Sequence, residues 1–166
     1  MPEKLFITEK RITKYNPIYR DTSGRFLKDE WTSYTDVGEN IGGKVLSIEE
    51  YLKVEGAYIN AVDLFFKELG ITQFLVLKLE KYGIENLASE DIKNYKEAIN
   101  EQVYSLDKLS MIVRMNLRAY IWCELVSLDK KSRVEFGYDY YMYFISNKKI
   151  ESSLWPKIEK LGLFVD

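Results

Sequence analysis

The longest run of apolar positions covers residues 105–126, and it predicts the centre of the fold. Fourteen of its 22 residues are apolar, and on a helical wheel they point nearly all round, which is typical of a buried helix. Arg114, Asn116 and Arg118 fall in the middle of the run, where charged and polar side chains oppose insertion into a bilayer. We therefore predict a buried central helix over about residues 105–126, in a protein that does not enter a membrane.

A second helix has clear predicted ends. Ser47 and Glu50 stand three residues apart, the spacing of a capping box at a helix N-terminus. Apolar residues then recur at helical spacing until Gly70, a residue type that commonly ends helices. Two further helices are predicted, one that begins near Ser89 and one over residues 151–160.

Alternation of apolar and polar positions predicts the strands. It is strongest over Arg133–Ile145, which we interpret as one long strand with an apolar face. Residues 4–13 and 31–37 alternate more loosely and predict shorter strands. The apolar run over residues 71–79 fits a buried strand or the start of another helix, because periodicity does not separate the two.

Turn residues near the N-terminus predict a hairpin. Asp21-Thr22-Ser23-Gly24 combines residue types that favour tight turns, and it lies between Ile18–Arg20 and Arg25–Leu27. Together these elements predict a single α+β domain over residues 1–166. In it, a few antiparallel strands pack on three to five helices, with the buried helix at the centre.

Composition removes several kinds of chemistry. The chain has no histidine and one cysteine, which excludes Ser-His-Asp and Cys-His catalysis and a zinc site built from cysteine and histidine. We expect no catalytic residue, no metal ligand and no cofactor. Cys123 falls in the predicted central helix and is expected to be a buried apolar residue. A lone cysteine and the lack of an apolar leader predict a cytoplasmic protein.

One motif resembles a phosphate-binding loop without completing it. Gly38–Lys44 fits the pattern G-x-x-x-x-G-K, but Val45 stands where the motif needs a serine or threonine for magnesium. The predicted helix begins only after Ser47, so its N-terminus does not meet the phosphates. We interpret this stretch as a plain Gly-Gly turn.

Two arginines in the predicted central helix need anionic partners, because an unpaired buried charge is strongly destabilising. Arg114 and Arg118 share one stripe of that helix. Acids of the same chain, with Asp139 as one candidate, and a bound anion are both open as partners.

Charge is distributed unevenly along the chain. Residues 1–28 carry seven basic and three acidic side chains, whereas residues 29–66 carry two basic and eight acidic ones. The acidic segment either pairs with the basic arm, stays solvated, or faces a basic partner. The aromatic strand at 133–145 carries Glu135 and Asp139, and with a pI near 5.4 this argues against nucleic-acid binding.

Two stretches rich in aromatic and acidic residues, Lys14–Gly38 and Ser47–Ile59, resemble small bacterial immunity proteins. These inhibitors neutralise toxins of polymorphic and contact-dependent growth inhibition systems. The resemblance covers about the first third of the chain and contains no catalytic motif. It implies a non-catalytic protein that binds one cognate toxin domain, expected to be a basic nuclease, and blocks its active site or a needed surface.

On that resemblance, the partner-binding residues are expected among the acids and aromatics of the first acidic stretch. Acidic side chains steer a basic partner, and tryptophan and tyrosine are common interface anchors. The predicted residues are Asp29, Glu30, Trp31, Tyr34, Asp36 and Glu39. Core packing is an equal alternative for Trp31. A carboxylate-based enzyme and a regulatory interaction module without a toxin partner remain alternative functions.

Overall fold

The computed structural model describes residues 8–83 and 87–166, and a large antiparallel sheet dominates this part of the chain. Its seven strands are β1 Thr8–Thr13, β4 Gln73–Lys81, β5 Val103–Ser105, β6 Ile121–Ser127, β7 Ser132–Phe136, β8 Tyr141–Ser146 and β9 Phe164–Val165. They lie in the order β5-β4-β6-β7-β8-β1-β9, and every neighbouring pair runs antiparallel. A separate hairpin pairs β2 Asn40–Ile41 with β3 Lys44–Val45.

Four α-helices accompany the sheet within the described residues: α1 Ile48–Glu68, α2 Ser89–Glu97, α3 Leu109–Leu117 and α4 Leu154–Glu159. Helix α1 packs on the sheet through aromatic side chains. Phe65 stacks on Phe144 of β8 with ring centroids 4.3 Å apart, and Phe66 meets Phe74 of β4 at 5.7 Å. All four rings are fully buried, and burial of each contributes about 1.5–3 kcal/mol. The apolar core therefore lies between α1 and one face of the sheet.

The predicted bounds of α1 are confirmed because they depend on local contacts. The Ser47 hydroxyl accepts a hydrogen bond from the Glu50 amide at 3.1 Å, and this satisfies one of the free N–H groups of the first turn. At the other end, Gly70 adopts φ +67, a conformation in which a side chain would be strained. Helices α2 and α4 also lie where helices are predicted.

The prediction of a buried central helix over residues 105–126 is wrong. Helix α3 ends at Leu117, and the chain turns at Ala119 into β6, a central strand between β4 and β7. The turn is a Schellman cap, in which the Ala119 amide donates to the Asn116 carbonyl and the Tyr120 amide donates to the Met115 carbonyl. Glycine usually holds this left-handed position, so Ala119 at φ +58 gives no stop signal in the sequence.

The predicted fold class needs the corresponding correction. The described residues form a large seven-stranded sheet with four helices, in place of a few strands packed around a central helix. A strand in the middle of a covered sheet buries both faces, and six of the seven residues of β6 are buried. Such a strand is apolar on all sides, as a buried helix is, so the pattern alone did not separate them.

The long strand predicted over Arg133–Ile145 is also wrong, since it is the β7–β8 hairpin. Its four-residue connection keeps the parity of the alternation, so Val134 lies opposite Phe144 and Phe136 opposite Met142. All four side chains are buried on the face that the alternation predicts as apolar. Alternation identifies a face, but it does not show where a chain reverses after an even number of residues.

Smaller elements follow the predictions in part. The ambiguous run over residues 71–79 belongs to strand β4. The hairpin predicted around residues 21–24 is reduced to a single bridge between Arg20 and Phe26. The strand predicted over 31–37 is wrong, because Tyr34–Asp36 forms a 3-10 turn. Residues 4–7 of the first predicted strand lie outside the described residues.

Among the described residues, no helix is both long and apolar enough to cross a bilayer.

Candidate functional site

An open cleft of about 700 Å³ lies in the described part of the chain. It lies between residues 28–31, the β2–β3 hairpin, the first half of α1 and residues 161–163. Three of the six predicted partner-binding residues, Asp29, Glu30 and Trp31, line it. The cleft and its rim are therefore the candidate functional site.

Glycine at position 42 shapes one wall of the cleft. Gly42 and Gly43 form the predicted turn between β2 and β3, with φ +62 and +86. A β-carbon on Gly42 would lie 2.5 Å from the backbone oxygen of Asp29. The hairpin packs directly on the segment that carries Asp29 only because residue 42 has no side chain.

A buried lysine forms the inner end of the cleft. The Lys14 side chain is 6% exposed, and its ammonium lies 4.1 Å from the ring centroid of Tyr15 and 4.0 Å from that of Trp31. Its Nζ lies 3.3 Å from Oε2 of Glu30. Burial lowers the pKa of the Lys14 ammonium, and the charge of Glu30 raises it by less. The predicted pairing of the basic arm with the acidic segment therefore holds for Lys14 and Glu30.

The rim of the cleft holds charges of both signs. Lys44 pairs with Glu50 at 3.1 Å, and the Lys28 ammonium lies 3.5 Å from the ring centroid of Tyr19. Asp29 is exposed and forms no ion pair with any described residue. Lys28 and Lys44 thus contact groups of the chain itself, whereas the carboxylate of Asp29 is left to the solvent.

The predicted aromatic residues are mainly structural. Trp31 is 9% exposed, and its ring centroid lies 5.5 Å from that of Tyr51 and 5.0 Å from that of Tyr140. Tyr34 is half-buried, and its ring centroid lies 4.9 Å from that of Tyr51. The Arg118 guanidinium lies 4.4 Å from the ring centroid of Tyr34. These contacts agree with the alternative prediction that Trp31 packs in the core.

The predicted acidic residues divide into two kinds. Asp36 accepts hydrogen bonds from the amides of Thr32 and Ser33 at 2.9 and 3.1 Å, and Glu30 pairs with Lys14. Asp29 and Glu39, by contrast, are exposed and make no ion pair with described residues. The side chains of Asp29 and Glu39 are the two that a partner can reach without breaking an internal contact.

Three exposed apolar residues at and before the start of α1 were not predicted as binding residues. Val45, Ile48 and Leu52 are 55%, 39% and 46% exposed. Ile48 and Leu52 belong to the apolar residues that recur at helical spacing in α1, yet the buried face is centred on residues such as Tyr58 and Phe65. Position in the first turn is no signal of exposure, because Tyr51 in the same turn is fully buried.

We use the name acidic edge for a set of exposed acidic and apolar residues between positions 29 and 52: Asp29, Glu39, Val45, Ile48, Glu49 and Leu52. Pairing of Asn40 with Val45 places the Glu39 end of β2 beside β3, and the Leu46 amide donates to the Glu39 carbonyl at 3.1 Å. Ile48 and Leu52 lie one helical turn apart. Glu49 is exposed and also lacks an ion pair among the described residues.

The sequence left open whether Arg114 and Arg118 pair with acids of the same chain or with a bound anion. In the structure, both arginines pair with acids of the same chain. Arg118 donates to both carboxylate oxygens of Glu55, at 2.8 and 3.1 Å, and to Asp91 at 3.3 Å. Arg114 lies 3.0 Å from Asp91 and 3.2 Å from Glu90. Burial alone lowers the pKa of the Arg118 guanidinium, but the hydrogen bond and charge of Glu55 hold it above its ordinary value.

The described residues contain no group of three or more histidine, cysteine, aspartate or glutamate side chains placed to hold a metal ion. Cys123 is fully buried on β6 rather than in a helix. Burial raises the pKa of its thiol to about 12, so the thiolate is scarce near neutral pH. The site is thus richer in binding surface than in reactive groups.

Comparison of the chain with protein-family models, with curated proteins and with solved structures finds no match.

Proposed function

We propose that this protein is an immunity protein, which inhibits a cognate bacterial toxin domain in the cytoplasm by direct protein contact. The observation that carries the proposal is the acidic edge. It carries three exposed apolar side chains and three exposed carboxylates that have no ion-pair partner among the described residues. An exposed apolar cluster rimmed by polar groups is typical of a protein-binding surface.

Each part of the acidic edge has a separate task in the proposed complex. Val45, Ile48 and Leu52 supply the apolar area that loses water on binding, and they form the centre of the contact. Asp29, Glu39 and Glu49 steer a basic toxin domain and pair with its lysines or arginines. In a nuclease those basic groups hold substrate phosphates, so the same contact blocks activity.

The experiment pairs the protein with the toxin domain encoded beside its gene. Isothermal titration calorimetry measures the dissociation constant, and nuclease activity is followed in the same mixtures. Nanomolar binding with loss of activity is the expected result. Two folded proteins that exchange no heat and leave the toxin active would overturn the proposed function.

A charge-matched pair of variants tests the surface. The test variant Asp29→Asn/Glu39→Gln/Glu49→Gln removes three charges from the acidic edge. The control removes three exposed and unpaired charges elsewhere, Glu68→Gln/Glu151→Gln/Glu159→Gln. We expect association at least about tenfold slower for the test variant at low salt and little change for the control. Equal effects would show that net charge, and not the acidic edge, sets the rate.

An apolar variant separates steering from contact. Leu52→Ser removes an exposed side chain from the centre of the acidic edge, so the fold is expected to persist. We expect faster dissociation with an unchanged association rate, since apolar contacts act mainly on the lifetime of a complex. A variant that binds with unchanged lifetime would move the interface to another surface.

A further inference from the structure

A second cavity lies beside the β7–β8 turn. It has a volume of about 310 Å³ and is lined by Glu80, Tyr82, Trp122, Phe136, Gly137 and Tyr138. Four of the six lining residues are aromatic, and one is a carboxylate. The sheet register brings them together, because Glu80 lies opposite Trp122 and the β7–β8 turn follows Phe136.

The walls of this cavity are fixed by hydrogen bonds. The Trp122 indole donates to the Phe136 carbonyl at 2.7 Å, which sets the ring plane. The Tyr82 hydroxyl donates to Oε2 of Glu80 at 3.1 Å, and one oxygen of that carboxylate stays available. Gly137 also lines the cavity, and a β-carbon there would lie 3.1 Å from the Tyr143 ring.

Tyr138 is held in solvent by a tight turn. Its side chain is 92% exposed, while the next two residues, Asp139 and Tyr140, have φ +54 and +65. Tyr140 is anchored in the core through its hydroxyl, which donates to the Leu117 carbonyl at 2.8 Å. The Tyr141 amide donates to the Tyr138 carbonyl at 3.1 Å across this turn, and a two-residue hairpin turn of this type needs positive φ at both central residues. Core packing therefore fixes the turn through Tyr140 and leaves the Tyr138 ring to the solvent.

Three aromatic rings outside the cavity carry the chain's own cations. Lys28 lies over Tyr19, Arg20 over Tyr141 and Lys81 over Tyr95. No such contact between described residues involves the rings of Tyr82, Trp122 or Tyr138. This cavity thus combines uncovered aromatic walls with a carboxylate and lacks a positive charge.

We propose that this aromatic cavity binds an organic cation, a methylated ammonium group. Ring faces attract such a cation through their quadrupole, the carboxylate of Glu80 supplies the opposite charge, and the methyl groups replace water against apolar walls. A strongly hydrated ammonium without methyl groups gains less there, because it loses more hydration on entry.

Nuclear magnetic resonance titration with tetramethylammonium chloride tests the proposal. Chemical-shift changes are followed at the Trp122 indole and the amides of residues 137 and 138, against sodium chloride at equal ionic strength. We expect saturable shifts with a dissociation constant on the order of 1–10 mM, as suits a ligand of five heavy atoms. Tert-butanol has a similar size but no charge, and ammonium chloride has the charge but no methyl groups; both are expected to bind at least about fivefold more weakly.

Three exposed positions provide variants that are expected to fold. Tyr82→Leu, Tyr138→Ser and Glu80→Gln should each weaken tetramethylammonium binding about threefold or more, whereas Tyr19→Leu, a tyrosine outside the cavity, should leave it unchanged. No saturable shift, equal binding of tert-butanol, or unchanged binding by all three variants would overturn the proposal. Comparing choline with a short peptide that carries trimethyl-lysine then shows whether a free molecule or a protein side chain is the better source of the cation.

Discussion

Replacement of Arg118 by methionine is expected to be among the most destabilising single changes in this protein. Its side chain is 4% exposed and lies between Glu55 and Asp91, which are 5% and 1% exposed. Methionine keeps most of the volume but removes the positive charge and the forked hydrogen bonds to Glu55. Asp91 then keeps Arg114 as a cationic partner, whereas the buried carboxylate of Glu55 has none among the described residues.

The magnitude follows from the burial of the charges that remain. Removing one member of a buried ion pair costs about 3–5 kcal/mol, mostly because the other charge is left unpaired. A domain of this size has a total stability of about 5–15 kcal/mol. With an m-value of about 2 kcal/mol/M in urea, the midpoint of unfolding of Arg118→Met should fall by about 1.5–2.5 M.

Urea unfolding followed by far-UV circular dichroism measures this loss, and two further variants make it specific. Lys67→Met breaks the exposed pair of Lys67 with Asp63 and should cost less than about 0.5 kcal/mol. The double variant Glu55→Met/Arg118→Met removes both charges and should be more stable than Arg118→Met alone. A loss below about 1 kcal/mol for Arg118→Met, or a double variant with additive losses, would refute the argument that the unpaired charge dominates.

Three further predictions concern the buried groups and the cleft. Cys123 should not react with a thiol reagent at pH 8 in the native protein and should react fully after unfolding, because burial raises the pKa of its thiol to about 12. The lowered pKa of Lys14 means that the unfolded chain holds this proton to higher pH than the folded one. Its contribution to stability therefore rises as pH increases through the folded pKa towards 10.5, and in urea unfolding Lys14→Met should remove that rise. Gly42→Ala should cost about 1–3 kcal/mol in the same assay, since its φ is +62 and its β-carbon would meet the Asp29 oxygen.

Sequence patterns predicted the elements whose ends are set by local hydrogen bonds. Helix α1 begins where the Ser47 hydroxyl accepts from the Glu50 amide, and the Gly42-Gly43 turn forms where two glycines permit positive φ. Alternation also predicted the buried face of the β7–β8 hairpin. It failed to place the reversal of the chain, because Tyr140 adopts a left-handed conformation that tyrosine seldom adopts, and no glycine marks that position.

The residues of the candidate site were likewise only partly predictable from the sequence. The acidic segment was visible in the sequence, but its carboxylates have different neighbours. Glu30 faces Lys14 and Asp36 caps a turn, whereas Asp29 and Glu39 are free of ion pairs with described residues. The aromatic cavity had no sequence signal, since it draws on β4, β6 and the β7–β8 turn, which meet only in the folded sheet.

The sequence by itself determined the ends of α1, the glycine turn beside the cleft and the exclusion of histidine-dependent chemistry, because each depends on residue types or on contacts within a few residues. Tertiary structure decided that residues 121–127 form a central strand and that Arg118 pairs with acids 63 and 27 residues away in the chain. It also decided which apolar side chains of α1 stay exposed. An apolar run lowers its free energy equally well as a buried helix or as a central strand, and only the neighbours that cover it select between them.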